Sequence, residues 1–320
     1  MGRCKERGAL VLTREESISY LDPELIAYLD RPQDDLMALP LPEARALANA
    51  AVRALGGPPK REPEVIKVAG LYGDPLVEVR VHVPPIITRQ RAVLHIHGGG
   101  MVKGSAFAFD TRMCSAAEML GAIIVSVEYR LAPETPFPGP LHDCVAAWNW
   151  MVQKATDWGL EAKNCVITGD SSGGGLAAAT CLYLRDTGGI MPSRQILVFP
   201  MLDFQTGTGG EAQDTRLGWT SSNNQFGWRA LLGDQGLPVG AQLGHYSPTH
   251  ALNFEGLPPT WIGVGSIDLF LDENIDFAAA LARAGNDVTL CTYKGAPHGF
   301  QIIPSGVSRR FYADYFAAFS

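Results

Sequence analysis

Two adjacent serines, Ser171 and Ser172, stand where an apolar run meets three consecutive glycines, in NCVITGDSSGGGLAAAT, Asn164 to Thr180. A hydroxyl held on a sharp strand-to-helix turn is a candidate nucleophile, provided the backbone bends enough to expose it. Such a bend needs residues without Cβ two positions to either side, because side chains there collide with the turn. Ser171 has Gly169 and Gly173 at those positions, whereas Ser172 has Asp170 and Gly174. The spacing selects Ser171. A glycine-rich turn of this kind also suits phosphate, but a phosphate loop favours a lysine and GDSSGGG has none.

A serine attacks a carbonyl only when a base takes its proton, and the base needs an acid to orient it. Seven histidines occur, at 82, 95, 97, 142, 245, 250 and 298. On a hydrolase sheet the acid and then the histidine follow the serine in sequence, which leaves His245, His250 and His298. His298, in YKGAPHGF, comes directly after the last strand candidate, where a loop can return it to the sheet. His245 and His250 flank YSPT and read as structural or surface residues. For the acid, WIGVGSIDLFLDENIDF offers Asp268, Asp272 and Asp276. Asp268 lies just beyond a strand end and is preferred. Asp272, the alternative, reads as a helix cap with Glu273 in the first turn, and Asp276 as a helix-surface residue. Charge developing on the attacked oxygen needs N–H donors. LHIHGGGMVKGS places His97, Gly98, Gly99 and Gly100 straight after a strand, where residues without side chains let amides approach a ligand closely.

These groups need a scaffold that brings strand ends together. Short runs rich in Val and Ile, bounded by Gly, Pro or Asp, recur from about residue 63: EVIKVAG, PLVEVRVHV, AVLHIHG, AIIVSVEY, NCVITGD, QILVFPML, TWIGVG and VTLCTYKG. Helical stretches separate the later ones, as in DTRMCSAAEML, DCVAAWNWMVQKA, SGGGLAAATCLYLRD and DENIDFAAALARAG. This alternation predicts βαβ units and a mostly parallel sheet covered on both faces. LVEVRVHV alternates polar and apolar residues, which predicts an antiparallel region at the start. The first sixty residues read as helices broken by prolines, and the segment from about 203 to 250 is rich in Gly, Asn, Gln and Trp. Both are expected to form one cap over the strand ends. The division is 1–62 for the N-terminal part of the cap, 63–202 with 251–320 for the catalytic domain, and 203–250 for the cap insertion. Phe204, Trp219, Phe226 and Trp228 in the insertion are candidates for an apolar substrate pocket, with packing of cap onto core the alternative.

With 46% hydrophobic and 18% charged residues, the chain has the composition of a protein with a sizeable core. The net charge of −7 and the lack of a Lys/Arg stripe argue against nucleic acid. Six cysteines, at 4, 114, 144, 165, 181 and 291, include no CxxC pair and read as buried free thiols, not metal ligands. GALVL near the N-terminus is too short for a signal peptide, and no apolar run reaches the ~20 residues that span a bilayer. The expectation is a cytoplasmic chain.

Four blocks, HGGG, VEYRLAPETPFP, GDSSGG and IDLFLDE…HGF, together resemble the hormone-sensitive-lipase-like branch of the α/β-hydrolases, which includes carboxylesterases and arylesterases. The resemblance spans roughly residues 65 to 320. It implies an α/β-hydrolase fold, with an eight-stranded, mostly parallel sheet, helices on both faces and a helical cap. Carried over by position, it makes Ser171 the nucleophile, Asp268 the acid and His298 the base. The N–H groups of Gly99, Gly100 and Ser172 become the oxyanion donors, and His97 with Gly98 supports their loop. Asp170, Glu128, Arg130 and Asp143 take scaffold positions around the site. Ser172 stands where the family often has Ala, and Phe270 where Leu is common. The implied activity is hydrolysis of short- to medium-chain acyl or aryl esters through an acyl-enzyme, with no metal or organic cofactor. A lactonase, amidase or lyase on the same site, and a non-catalytic small-molecule receptor, are the alternatives. The receptors of this branch lack the catalytic histidine that HGF retains here. The resemblance also implies homodimerisation at the last strand, VTLCTYKG.

Overall fold

The structure, a computed structural model, describes residues 14–31, 36, 38–208 and 217–320. GALVL, Cys4 and residues 209–216 of the insertion lie outside them. All eight strand candidates form strands: β1 Glu64–Val68, β2 Val77–His82, β3 Ala92–Ile96, β4 Ile123–Glu128, β5 Val166–Asp170, β6 Arg194–Val198, β7 Thr260–Gly265 and β8 Val288–Tyr293. They make one sheet in the order β1-β2-β4-β3-β5-β6-β7-β8. Among the described residues, only the pairings of β2 with β1 and β4 are antiparallel, as the alternation in LVEVRVHV predicts. Every residue of β3, β5 and β7 is buried, the pattern of strands covered on both faces.

The described helices are α1 Arg14–Tyr20, α2 Leu41–Gly56, α3 Asp110–Leu120, α4 Gly139–Ala155, α5 Ser172–Thr187, α6 Ser221–Leu232, α7 Ala241–Tyr246, α8 Leu271–Arg283 and α9 Gly306–Ala317. Successive strand residues point to opposite faces, so the sheet feeds two cores. Leu94 and Ile96 join the core built with α4, α5 and α8, while Val93 joins the one built with α3 and α9. The chain runs from β3 outward to β4 and then returns past β3 to β5. The winding therefore reverses between β3 and β5, and ligands of open α/β sheets bind at the carboxyl ends of strands flanking such a reversal. Ile96 and Gly169 are direct partners there. The HGGG loop and the serine turn consequently leave the sheet side by side.

LDPELIAYLDRP forms a 3₁₀ segment, Pro23–Asp30, capped by Asp22, whose carboxylate accepts from the Glu24 N–H at 2.9 Å. Leu25 and Tyr28 bury one face of it in the second core. Helix α2 has no buried residue. It is held through Arg45, which donates to the carbonyls of Val102 (2.7 Å) and Ala132 (2.9 Å) and to Glu134 (2.7 Å). Among the described residues, no helix is long and apolar enough to cross a membrane.

Candidate active site

Ser171 joins β5 directly to α5 and adopts φ 56°, ψ −120°. Backbone in such regions costs on the order of 1–3 kcal/mol and persists only where neighbours enforce it. Here the Ser171 N–H donates to Val198 O at 2.9 Å, and Ser171 O accepts from the N–H groups of Gly175 and Met201, both at 3.0 Å. A Cβ on Gly169 would lie 2.2 Å from Gly173 O, and one on Gly173 only 2.1 Å from Ile96 O. The glycines that select Ser171 in the sequence are thus sterically required.

His298 follows β8 on a loop that returns to this turn. Its Nε2 lies 3.0 Å from Ser171 Oγ and its Nδ1 2.8 Å from Asp268 Oδ2. A carboxylate facing Nδ1 places the ring proton there and leaves Nε2 to accept from the serine. Asp268 is fully buried, and its second oxygen accepts from the Phe270 N–H at 2.9 Å. Phe199 and Phe270 meet the imidazole edge-on, with centroids at 4.6 and 5.1 Å. Asp272 does not cap α8: it is the second residue of that helix and is exposed, as is Asp276. His245 and His250 lie elsewhere, paired with Asp186 (2.8 Å) and Asp203 (3.0 Å).

Gly98 passes so close to the serine turn that a Cβ on it would be 2.7 Å from Asp170 O. Gly99 and Gly100 have φ of 135° and 62°, and a Cβ on Gly99 would meet Lys103 O at 2.1 Å. His97 is buried beneath this loop, where Nδ1–H donates to Gly98 O at 3.0 Å and the ring stacks on Tyr129 at 4.2 Å. Burial lowers the His97 pKa to about 4, so the ring is neutral near pH 7. Ser172 opens α5 with its hydroxyl buried beside that of Tyr129. The scaffold acids have partners. Asp170 accepts from Arg112 at 2.6 Å, Asp143 pairs with Arg130 at 2.7 Å, and Glu128 accepts from the Phe107 N–H at 3.3 Å. Burial pushes the Glu128 carboxyl up to about 7.

The four aromatic candidates divide. Trp219 is at the site: its ring lies 2.3 Å from where a Gly100 Cβ would be and 6.4 Å, centroid to centroid, from His298. Its Nε1–H donates to Asn224 Oδ1 at 3.3 Å, and Asn224 Nδ2–H donates to Thr206 O at 2.8 Å. Trp228 and Phe204 pack on Tyr246 at 5.2 and 6.0 Å, and Phe226 packs half-buried on the first core. One contact has no precedent in the motifs: the Tyr28 hydroxyl donates to the backbone carbonyl of His298. With 270 positions between them, no local spacing signals it. The only trace is the buried series Leu21, Leu25, Tyr28 in the 3₁₀ segment and its approach. Among the described residues, no group of three or more His, Cys, Asp or Glu is arranged to hold a metal ion.

A strained serine, a histidine within hydrogen-bond reach and a buried carboxylate behind it form an array able to activate a hydroxyl against a carbonyl. A family model described as alpha/beta hydrolase fold matches residues 93–302. Carboxylesterase NlhH of Mycobacterium tuberculosis is 30% identical over 270 residues, covering 79% of this chain and 81% of that protein. Ethyl acetate hydrolase of Pseudomonas putida is 27% identical over 302 residues, covering 88% and 92%. A solved bacterial heroin esterase superposes with a TM-score of 0.85 at 33% identity, covering 94% of this chain and 97% of that one. The chain belongs to the hormone-sensitive-lipase-like carboxylesterase family of the α/β-hydrolase fold.

Proposed function

We propose that the chain hydrolyses short- to medium-chain acyl or aryl esters in two steps through an acyl-enzyme. Ser171 Oγ attacks the ester carbonyl while His298 Nε2 takes its proton, and Asp268 stabilises the imidazolium. The Gly99, Gly100 and Ser172 amides receive the oxyanion. His298 then protonates the departing alcohol, and water, activated by the same nitrogen, releases the acid. The observation that carries this reading is the unbroken chain Ser171–His298–Asp268 at 3.0 and 2.8 Å on a backbone bent to present the serine. Relatives named for ethyl acetate and heroin support esters with both small and bulky groups. Ser171→Ala is expected to lower kcat on p-nitrophenyl esters of graded chain length by on the order of 10⁴–10⁶. Retention of most activity would sink the assignment. Phosphonate uptake at Ser171 without ester turnover would move the reading to a lyase or amidase.

The division into cap and catalytic domain is part of the same reading. It is supported by Tyr28, Arg45 and Trp219, which reach the histidine loop, the segment after HGGG and Gly100 from the two segments outside the alternating core. We propose that a homodimer forms through β8, the terminal strand of the sheet among the described residues. Light scattering on wild type and on Thr292→Pro tests it. The odd-numbered residues of β8 turn their backbone to β7, as Asp287 O and Tyr293 O do in accepting from the Thr260 and Ser266 N–H groups. The exposed Thr292 therefore presents its N–H to the outer edge, and proline removes that donor. A wild type that is monomeric at micromolar concentration would exclude it.

A further inference from the structure

The geometry points to Tyr28 as a positioning residue for the catalytic base, supplied by a strap that the N-terminal segment lays across the His298 loop. This inference rests on the proposed role of His298. Among the described residues, hydrogen bonds tie the strap to the loop and to the start of α9 beyond it, and they bracket the histidine. The Asp22 N–H donates to Gly295 O at 3.0 Å, three residues before it. The Tyr28 hydroxyl donates to the carbonyl of His298 itself. The Gly306 N–H donates to the Glu24 carboxylate, at the start of α9. Leu25, wholly buried, and Tyr28, 5% exposed, pin the strap into the second core, so these donors and acceptors are held by packing.

The far side of the loop is closed as well. Gly218, at φ 91°, runs so near that a Cβ there would be 2.2 Å from the Tyr28 oxygen and 2.8 Å from His298 O. Only a residue without a side chain allows the hydroxyl and the carbonyl to meet beneath this crossing. The imidazole depends on it because the ring's own bonds, to Ser171 and Asp268, set its orientation but not the height of its backbone. A carbonyl in this loop that lost its buried donor would seek another partner and carry the ring with it. Displacement of a reacting group by about 1 Å costs on the order of 10²-fold in rate, so a shift of a few tenths of an ångström costs roughly tenfold.

Tyr28→Phe keeps the ring packing and removes only the donor. Titration of active sites with a fluorophosphonate, followed by kcat per titrated site on p-nitrophenyl acetate, separates positioning from folding. The expected result is full stoichiometry, a kcat about tenfold lower, KM within twofold and a phosphonylation rate lowered by the same factor as kcat. A kcat per titrated site within twofold of wild type, or a loss explained by fewer titratable sites, would overturn the role. Glu24→Gln weakens the strap without touching the hydroxyl and is expected to keep kcat within threefold. An equal loss in that variant would assign the effect to the fit of the strap and likewise overturn Tyr28. A wild type that neither cleaves esters nor takes up phosphonate would instead sink the triad reading. One that does both, with Tyr28→Phe indistinguishable from it, sinks the role of Tyr28 alone.

Discussion

Replacing Gly173 by alanine tests whether the serine turn and the HGGG loop act as one rigid unit. The added Cβ would lie 2.1 Å from Ile96 O and 2.5 Å from His97 O. A carbon and a carbonyl oxygen normally approach to about 3.3 Å, so the first turn of α5 must separate from the end of β3 by roughly 1 Å. Both partners are backbone, and no side-chain rotation relieves the clash. Overpacking of this kind costs about 1–3 kcal/mol, or a fall in Tm of roughly 2–10 °C in a chain of this size. The same movement pulls Gly99 and Gly100 away from Ser171, and a misplacement of that size costs on the order of 10²-fold in kcat/KM. Gly236→Ala, where nothing lies within 4 Å of the new methyl group, is the matched control and should leave both quantities nearly unchanged. The assay is kcat/KM on p-nitrophenyl acetate together with differential scanning calorimetry. A Gly173→Ala enzyme within threefold of wild type would refute the claim that these two backbones are locked against each other.

Asp268→Asn should lower kcat about 10⁴-fold, because the amide no longer fixes the histidine tautomer, while the exposed Asp272→Asn should stay within twofold; steady-state kinetics at pH 8 compares them. Asn224→Ala strands the Trp219 N–H and the Thr206 carbonyl, so chemical denaturation should show about 1–3 kcal/mol less stability. Glu128 has a folded pKa of about 7, above the 4.5 of a free carboxyl, so the folded state binds its proton more tightly than the unfolded state. Its contribution to stability is therefore complete below about pH 4.5 and is lost as pH rises through 7. Glu128→Gln should flatten the fall in Tm between those limits, and an unchanged slope would contradict the assignment.

Legibility in the sequence followed the range of the forces involved. The central strands β3, β5 and β7 declare themselves as short apolar runs because both of their faces are covered, and the parallel core follows from the alternation of strands with helices. The serine turn is equally local: glycines at 169 and 173 are demanded by atoms within a few residues or on the adjacent strand. Asp268 and His298, which the structure sets 2.8 Å apart, each lie just past a strand end, where the topology brings loops together and the sequence can signal their meeting. The reading of Asp272 as a cap failed because Asp268 already supplies the turn before α8, its Oδ1 taking the Phe270 N–H while Oδ2 faces the histidine. Among the aromatics, composition could not tell Trp219, set against Gly100, from Trp228, set against Tyr246; that choice depends on how α6 and its approach settle on the core. Tyr28 was invisible for the same reason, since its partner is a backbone carbonyl at the opposite end of the chain.

Peptide mass spectrometry after reaction with a fluorophosphonate, with ester turnover followed in parallel, tests the central claim most directly. One phosphonyl group per chain is expected, located on Ser171, with activity lost in proportion to its uptake. Label confined to another residue, or full ester turnover by a chain fully modified at Ser171, would contradict it.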